Sequence, residues 1–337
     1  MTNIIGYSVY IPYYRIKLEE INAAWNRPGG RGEKTVPAPD EDVITMGLKA
    51  TQWALNHARI SGNQLGAVYA CSVSSGYFEN TVAGQIAYAL GAEGNITLAD
   101  YALSTRSVTA ALQAGVDAIA AGRIGYALIV ASDKLIAKPG SELELTSAAG
   151  AGAMVLGKEA GLARIEKIAS YSSGFVGRFR VEGGFPTLDD ERFVMKHGFL
   201  DHVSKAVEHL SEAIALKDVE AVRRTFDRVV LQAPDPRWGS RALAKLGLAP
   251  EKLVSTASQI GYAGCASFLI DLSAALDQVK PGEKILAISY GPGGSDAVAL
   301  GVQSQQKKST KTVTEQISQK DFVNYATYLR YNKLLRG

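Results

Sequence analysis

The chain states its pattern twice. LGAVYACSVSSG (65–76), a helix end ALG (89–91), NITLAD (95–100), a small-residue stretch from about Thr105 to Ala121 and IGYALIVASDK (124–134) form the first copy. FDRVVLQAPD (226–235), KLG (245–247), KLVSTAS (252–258), a small-residue stretch from about Ala263 to Asp277 and EKILAISYGPGG (283–294) repeat that order. A period this long is a duplicated fold unit, not a solenoid repeat. The Val/Ile/Leu/Tyr runs are apolar throughout, as in strands buried on both faces, and helical patterns separate them, so each half reads as α/β. Gly91 and Gly247 fall where a helix ends in a left-handed cap, and Pro281-Gly282 marks a turn. The halves run over 1–165 and 166–303, with an insertion over 170–199 that reads as loop or lid and a tail over 304–337. Two helix-covered sheets can pack back to back as a five-layer αβαβα sandwich. The helices starting near Ser104 and Ala263 would then face each other, their Ala, Ser and Gly content allowing close approach. Two independent doubly wound domains are the alternative.

Charge narrows the partners. Thirty-six Lys+Arg against 33 Asp+Glu leave +3 over 337 residues, which is no footprint for nucleic acid or a membrane surface. The most apolar stretch, Thr109 to Ser132, is broken by Asp117 and Arg123, and the first residues carry no signal-peptide pattern. A cytoplasmic protein is expected. Cys71 and Cys265 are too few for a disulfide framework or a zinc site.

Four separated segments, IGYSVYIPYYRIK (5–17), PDEDVITMGLKATQWAL (39–55), KPGSELELTSAAGAGAMVLGK (138–158) and KPGEKILAISYGPGGSDAVAL (280–300), resemble the thiolase superfamily. Within it they are similar to the archaeal and bacterial 3-hydroxy-3-methylglutaryl-CoA synthase group, as is the closing YATYLRY (325–331). The resemblance implies a thiolase-like sandwich, an acyl-CoA thioester as ligand with no covalently held cofactor, and acyl transfer by a cysteine. That cysteine stands at the N-terminus of the first central helix, where dipole and backbone N–H groups favour a thiolate. A histidine and an asparagine of the second half and a glutamate of the first complete the machinery.

At those positions this chain has other residues. Thr105, within Leu103–Thr109, stands for the cysteine, Val73 for the glutamate, Gln232 for the histidine and, less directly, Gln259 for the asparagine. His57, His197, His202 and His209 all precede the second copy of the repeat. Cys71 lies at a strand end and Cys265 inside the second central helix, so neither replaces the nucleophile. The expectation is therefore a catalytically silent subunit of a hetero-oligomeric acyl-transfer complex, its partners a thiolase-type sister carrying the cysteine and a small zinc-ribbon/OB-fold protein. One alternative is an acyltransferase or synthase using Ser104 or Thr105, whose hydroxyls are weak nucleophiles without a base. Another is a CoA-binding module without chemistry. Arg237 and Arg241, four residues apart on a helix, are candidate CoA-phosphate contacts. SYGPGGSDA (289–297) lacks nucleotide-loop spacing and reads as a tight loop lining the site. Glu79 reads as a surface carboxylate that could swing inward, His197 and His202 as no metal pair, and His202 as a surface or interface residue. The aromatic end of the tail, Tyr325 to Leu335, should dock onto something.

Overall fold

Both copies of the repeat build five strands in one and the same spatial order. In the computed structural model, which describes residues 1–77, 79–304 and 311–335, the first half supplies β1 (Asn3–Tyr10), β2 (Ala67–Ser72), β3 (Thr97–Ala102), β4 (Ala127–Lys134) and β5 (Ala149–Gly157). The second supplies β6 (Ala163–Ser172), β7 (Arg228–Leu231), β8 (Leu253–Val254), β9 (Lys284–Gly291) and β10 (Gly294–Val302). The orders are β3-β2-β4-β5-β1 and β8-β7-β9-β10-β6. In the first, β3, β2 and β4 are parallel, β5 runs against β4, and β1 against β5. The second repeats every one of these senses. Two residue pairs, Asn3–Arg164 and Ile4–Ala163, join β1 to β6 and make the ten strands continuous.

Helices separate the layers. α1 (Val43–Ala58) and α2 (Val82–Ala89) cover the outer face of the first half, where Met46 and Ala50 meet Val68, Val130 and Ala151. The N-cap Asp42 of the PDEDV segment starts α1 by accepting from the Ile44 and Thr45 amides at 3.0 and 2.8 Å. α4 (Asp201–Ala213) and α5 (Pro236–Lys245) cover the second half through Val203, Leu210 and Leu243. Between the half-sheets lie α3 (Ser107–Ala120) and α6 (Cys265–Leu276), in one core with Ile129 of one half and Ala287 of the other. Every residue of α6 is buried, which explains a helix apolar on all sides. One core shared by both halves makes the five-layer αβαβα sandwich and sets aside two independent domains.

Gly91 and Gly247 hold φ of +68° and +63°, the left-handed caps expected of them. The central helices begin at Ser107 and Cys265, slightly later than the composition indicates. Cys265 is thus the first residue of α6 and not inside it. The segment expected as an insertion from residue 170 begins as the end of β6. It then forms a ribbon, Arg178–Phe179 paired with Thr187–Leu188, and a π-helical stretch, Val194–Leu200, leading into α4. The extra residue per π turn re-phases α4, and His202 turns inward. Only 3% exposed, with Nε2 2.9 Å from Ser173 Oγ, it is no surface residue. The tail docks on its own chain: α7 (Tyr325–Tyr331) lies on the small sheet Tyr14–Lys17/Glu33–Val36/Asp321–Phe322, burying Tyr328. Of the polar stretch before it, 305–310 lies outside the described residues. Among the described residues no helix is long and apolar enough to cross a membrane.

Candidate active site

The chain leaves β3 through Leu103, a non-glycine residue at φ +72° whose side chain is 92% exposed. Such a conformation costs roughly 1 kcal/mol or more and persists where surrounding structure enforces it. It turns the chain so that Ser104 and Thr105 stand just ahead of α3. The Ser104 hydroxyl donates to the Pro292 carbonyl at 2.8 Å, and the Thr105 hydroxyl to the Tyr290 carbonyl at 3.0 Å. Both acceptors belong to the SYGPGG loop joining β9 to β10, which therefore lines the site as expected. Gly291 permits this approach: a Cβ there would lie 2.7 Å from Ser104 Oγ, Thr105 Oγ1 and the Arg106 amide nitrogen.

Thr105 opens onto a cavity of about 380 Å³, walled by Val73, Leu103, Ile136 and Pro292 and covered by Arg178, Phe179, Arg180 and Pro186 of the ribbon. A recess of about 20 Å³ continues past Thr105 and Arg178 toward Trp238, Tyr262 and Tyr290. Ser104 lines neither chamber. The expected lid is thus the ribbon, and Arg180 fastens it by donating to the Val73 carbonyl at 2.7 Å.

Gln232, where the family histidine is expected, is fully buried and wholly engaged. Its Nε2 donates to the Thr105 carbonyl (3.0 Å) and the Gly264 carbonyl (2.7 Å), and its Oε1 accepts from the Tyr290 amide (3.2 Å). It braces the nucleophile position between β9 and α6. Val73 is an apolar wall held by its backbone. Gln259 is exposed and lines neither chamber, so it does not join Thr105, and Glu79 is exposed as well.

Three ionisable groups that motif matching did not pick out as actors surround this centre. Tyr262 lines the recess together with Thr105, and burial pushes its phenol well above its ordinary range against the opposing pull of Arg178. Arg178 sits over the Tyr262 ring, 5.7 Å from its centroid, and burial draws its guanidinium downward. Asp133, at the end of β4, accepts at one oxygen from the Ser72 and Ser74 hydroxyls and the Val73 and Ser74 amides, at 2.6–3.0 Å. Its other oxygen accepts from the Cys265 amide at 2.7 Å. Burial raises Asp133, and these bonds partly oppose the rise. The carboxylate pins the Val73 wall to the N-terminus of α6. An acid closing the apolar run ALIVASD was a readable signal for such a buried polar anchor; Arg178, in a Gly- and Arg-rich loop, carried none.

A site holding only non-ionising groups, the premise of a silent subunit, is therefore not what the chain forms. Protonated Tyr262 and cationic Arg178 can donate toward negative charge developing on a carbonyl oxygen. Cys265, although at a helix start 3.6 Å from Ser107 Oγ, stays a thiol because burial and then Asp133 push it well up. Cys71 is raised the same way. None of the four histidines lines the cavity; His202 stands behind the wall, its ring 6.2 Å from that of Tyr290. Arg237 is engaged with Asp235 (2.7 Å) and Glu191 (3.3 Å), while Arg241 contacts Met195 Sδ at 3.0 Å.

Residues 12–154 match the family described as beta-ketoacyl synthase, N-terminal domain, and residues 218–301 the 3-oxoacyl-(acyl-carrier-protein) synthase III C terminal. The chain is 33% identical to the hydroxymethylglutaryl-CoA synthase of Methanosphaera stadtmanae over 344 residues, covering 98% of both. Its fold is similar to MvaS in complex with 3-hydroxy-3-methylglutaryl coenzyme A (TM-score 0.84, 18% identity, 99% of this chain and 92% of that one). It is likewise similar to an HMG-CoA synthase complexed with CoA (TM-score 0.85, 16% identity, 98% and 89%). The hydroxymethylglutaryl-CoA synthase relatives overturn the expectation of a non-catalytic subunit, because full-length kinship to proteins named as synthases points to an active enzyme. The missing cysteine, histidine and glutamate were weighed there as loss, whereas the cavity around Thr105 is open and equipped with donors. Duplicated sandwich, loop-lined cavity and end-to-end identity agree: the chain belongs to the hydroxymethylglutaryl-CoA synthase family of the thiolase superfamily.

Proposed function

We propose that this protein is an acyl-CoA-dependent acyltransferase or synthase whose reacting group is the hydroxyl of Thr105. The observation that carries the reading is the position of Thr105, which lines both cavity and recess together with Arg178, with Tyr262 lining the recess. Of the two expected hydroxyls, Thr105 is favoured because Ser104 faces the loop and neither chamber. A CoA thioester as substrate is supported by the relatives solved with CoA or its acyl derivative. Arg241 is the better candidate for the CoA phosphates, since Arg237 already holds a carboxylate at 2.7 Å.

In this reading Thr105 Oγ1 bonds to the thioester carbonyl carbon as the C–S bond breaks, and the hydroxyl proton ends on the departing CoA sulfur. A carbon of the acceptor then bonds to the acyl carbon as the ester C–O bond to Thr105 breaks, and the proton lost from that carbon ends on Oγ1, restoring the hydroxyl. Tyr262 offsets the charge on the tetrahedral oxygen. Among the described residues no general base lines the cavity, so the first step is slow beside that of a cysteine thiolate. Mass spectrometry of the intact chain after incubation with acetyl-CoA tests this. An acyl adduct is expected that is lost in Thr105→Ala, kept in Ser104→Ala and formed faster in Thr105→Cys. No adduct and no turnover with any acyl-CoA would sink the reading.

We also propose the assembly with a thiolase-type sister and a small zinc-ribbon/OB-fold protein. The edge strand β3 supports it, with Tyr88, Leu98 and Leu103 exposed nearby. Sizing of the co-expressed chains checks it: separate elution overturns it.

A further inference from the structure

Arg178 poses a question that acyl transfer alone does not answer. It lines both the cavity and the recess, yet its Nη1 is buried and has no hydrogen-bond partner. A guanidinium offers five N–H donors in a fixed fork, and a buried donor left unsatisfied is costly. Buried nitrogens without a partner occur also on Arg15 and Arg164, but neither of these lines a chamber, whereas Lys34 and Arg106 are engaged, Lys34 by two carbonyls and Tyr328, Arg106 by Asp296, Tyr171 and Ser172. Among the described residues no Asp or Glu lines either chamber, whereas Arg178 and Arg180 both do. Asp133, the acid whose charge acts on Arg178, spends both oxygens on Ser72, Val73, Ser74 and Cys265.

The chambers are therefore cationic, and the cation with an unused donor stands at their junction beside Thr105. The recess is too small for a nucleotide or a phosphate-bearing arm, and Arg178 and Thr105 line both chambers together, so the far end of a short acyl chain attached at Thr105 has room to reach the guanidinium. We propose that Arg178 is a specificity residue that selects an acyl group carrying a terminal carboxylate, received by the guanidinium fork. The inference rests on the acyl-CoA reading above and names the acyl class that this site takes. The guanidinium lies over the Tyr262 ring, 5.7 Å from its centroid, and its planar fork matches a planar carboxylate.

Succinyl-CoA and butyryl-CoA have chains of equal length and differ in the terminal carboxylate, so calorimetric titration of the full chain with each is the test. Succinyl-CoA is expected to bind about ten- to hundredfold more tightly, the span of one hydrogen bond to a charged group. Arg178→Met should bring the two affinities together and Arg178→Lys keep part of the preference, with thermal midpoints confirming that each variant is folded. Equal affinities in the native chain, or a preference that survives in folded Arg178→Met, overturn the proposal and leave the acyl-CoA reading standing. If neither thioester binds, that reading fails instead, and titration with free glutarate judges Arg178 by itself. Glutarate binding lost in Arg178→Met supports the anion site, and binding that is absent or unchanged by the substitution overturns it.

Discussion

At the scale of single residues, the site turns on which polar atoms are already engaged. A histidine at position 232 would present one donor and one acceptor at neutral pH, whereas Gln232 presents two donors and an acceptor, and all are used to clamp Thr105, Gly264 and Tyr290. Gln232→Leu should therefore act on stability first, leaving the Thr105 carbonyl and the Tyr290 amide without this partner in the interior, while the Gly264 carbonyl keeps the Ser267 amide. A loss of about 2 kcal/mol is expected, at roughly 1 kcal/mol or more for each orphaned group, read from the urea midpoint. An unchanged midpoint would show that the clamp holds nothing. The residue types at 73, 105 and 232 were legible in the sequence, and they led to the wrong conclusion about activity. Residue identity reports what is missing from a known mechanism, whereas Tyr262 and Arg178 act through placement, arriving from segments 84 residues apart in the chain.

At the scale of elements, the ribbon and the tail helix decide what surrounds the site. The duplication predicts neither, because each occurs in one half only. The ribbon brings Arg178 and Arg180 over the cavity, and the π-helical turn after it rotates His202 into the wall behind Tyr290. α7 is held by Lys34, which is fully enclosed and donates to the Ser147 carbonyl and the Tyr328 hydroxyl at 3.0 and 3.1 Å, and also to the Glu144 carbonyl. Burial lowers the Lys34 pKa to about 7, with Glu144 pulling the other way. The native state then binds fewer protons than the unfolded chain from pH 7 up to the ordinary lysine range. Stability contributed by this residue accordingly rises with pH across that window and is flat below it. Denaturant midpoints of the native chain and Lys34→Met between pH 6 and 10 should diverge in slope, the variant losing the rise; parallel curves would contradict the assignment.

At the scale of the whole molecule, stability and site formation are one event, since Thr105 comes from the first half and its partners Tyr290, Gly291 and Gln232 from the second. Arg106 crosses the same boundary, donating to the Asp296 carboxylate at 3.0 Å, the Tyr171 carbonyl at 3.3 Å and Ser172 Oγ at 2.9 Å. Arg106→Met leaves a nearly buried carboxylate short of its cation and should cost roughly 3 kcal/mol. Acylation at Thr105 should fall with it, read by thermal unfolding and adduct yield; a drop in neither would mean that the halves meet without this contact. The repeat, the apolar strand runs and the cap glycines by themselves determined the two α/β halves and the small-residue central helices, because those follow from local periodicity and burial, whereas the antiparallel strands of each half-sheet came from the structure. Only tertiary structure decided that Cys265 is an inert thiol, that Gln232 is a brace, and that Arg178 is a half-buried cation with a buried, unused Nη1 donor. Charge state and hydrogen-bond satisfaction depend on neighbours brought together by folding, and no spacing along the chain encodes them.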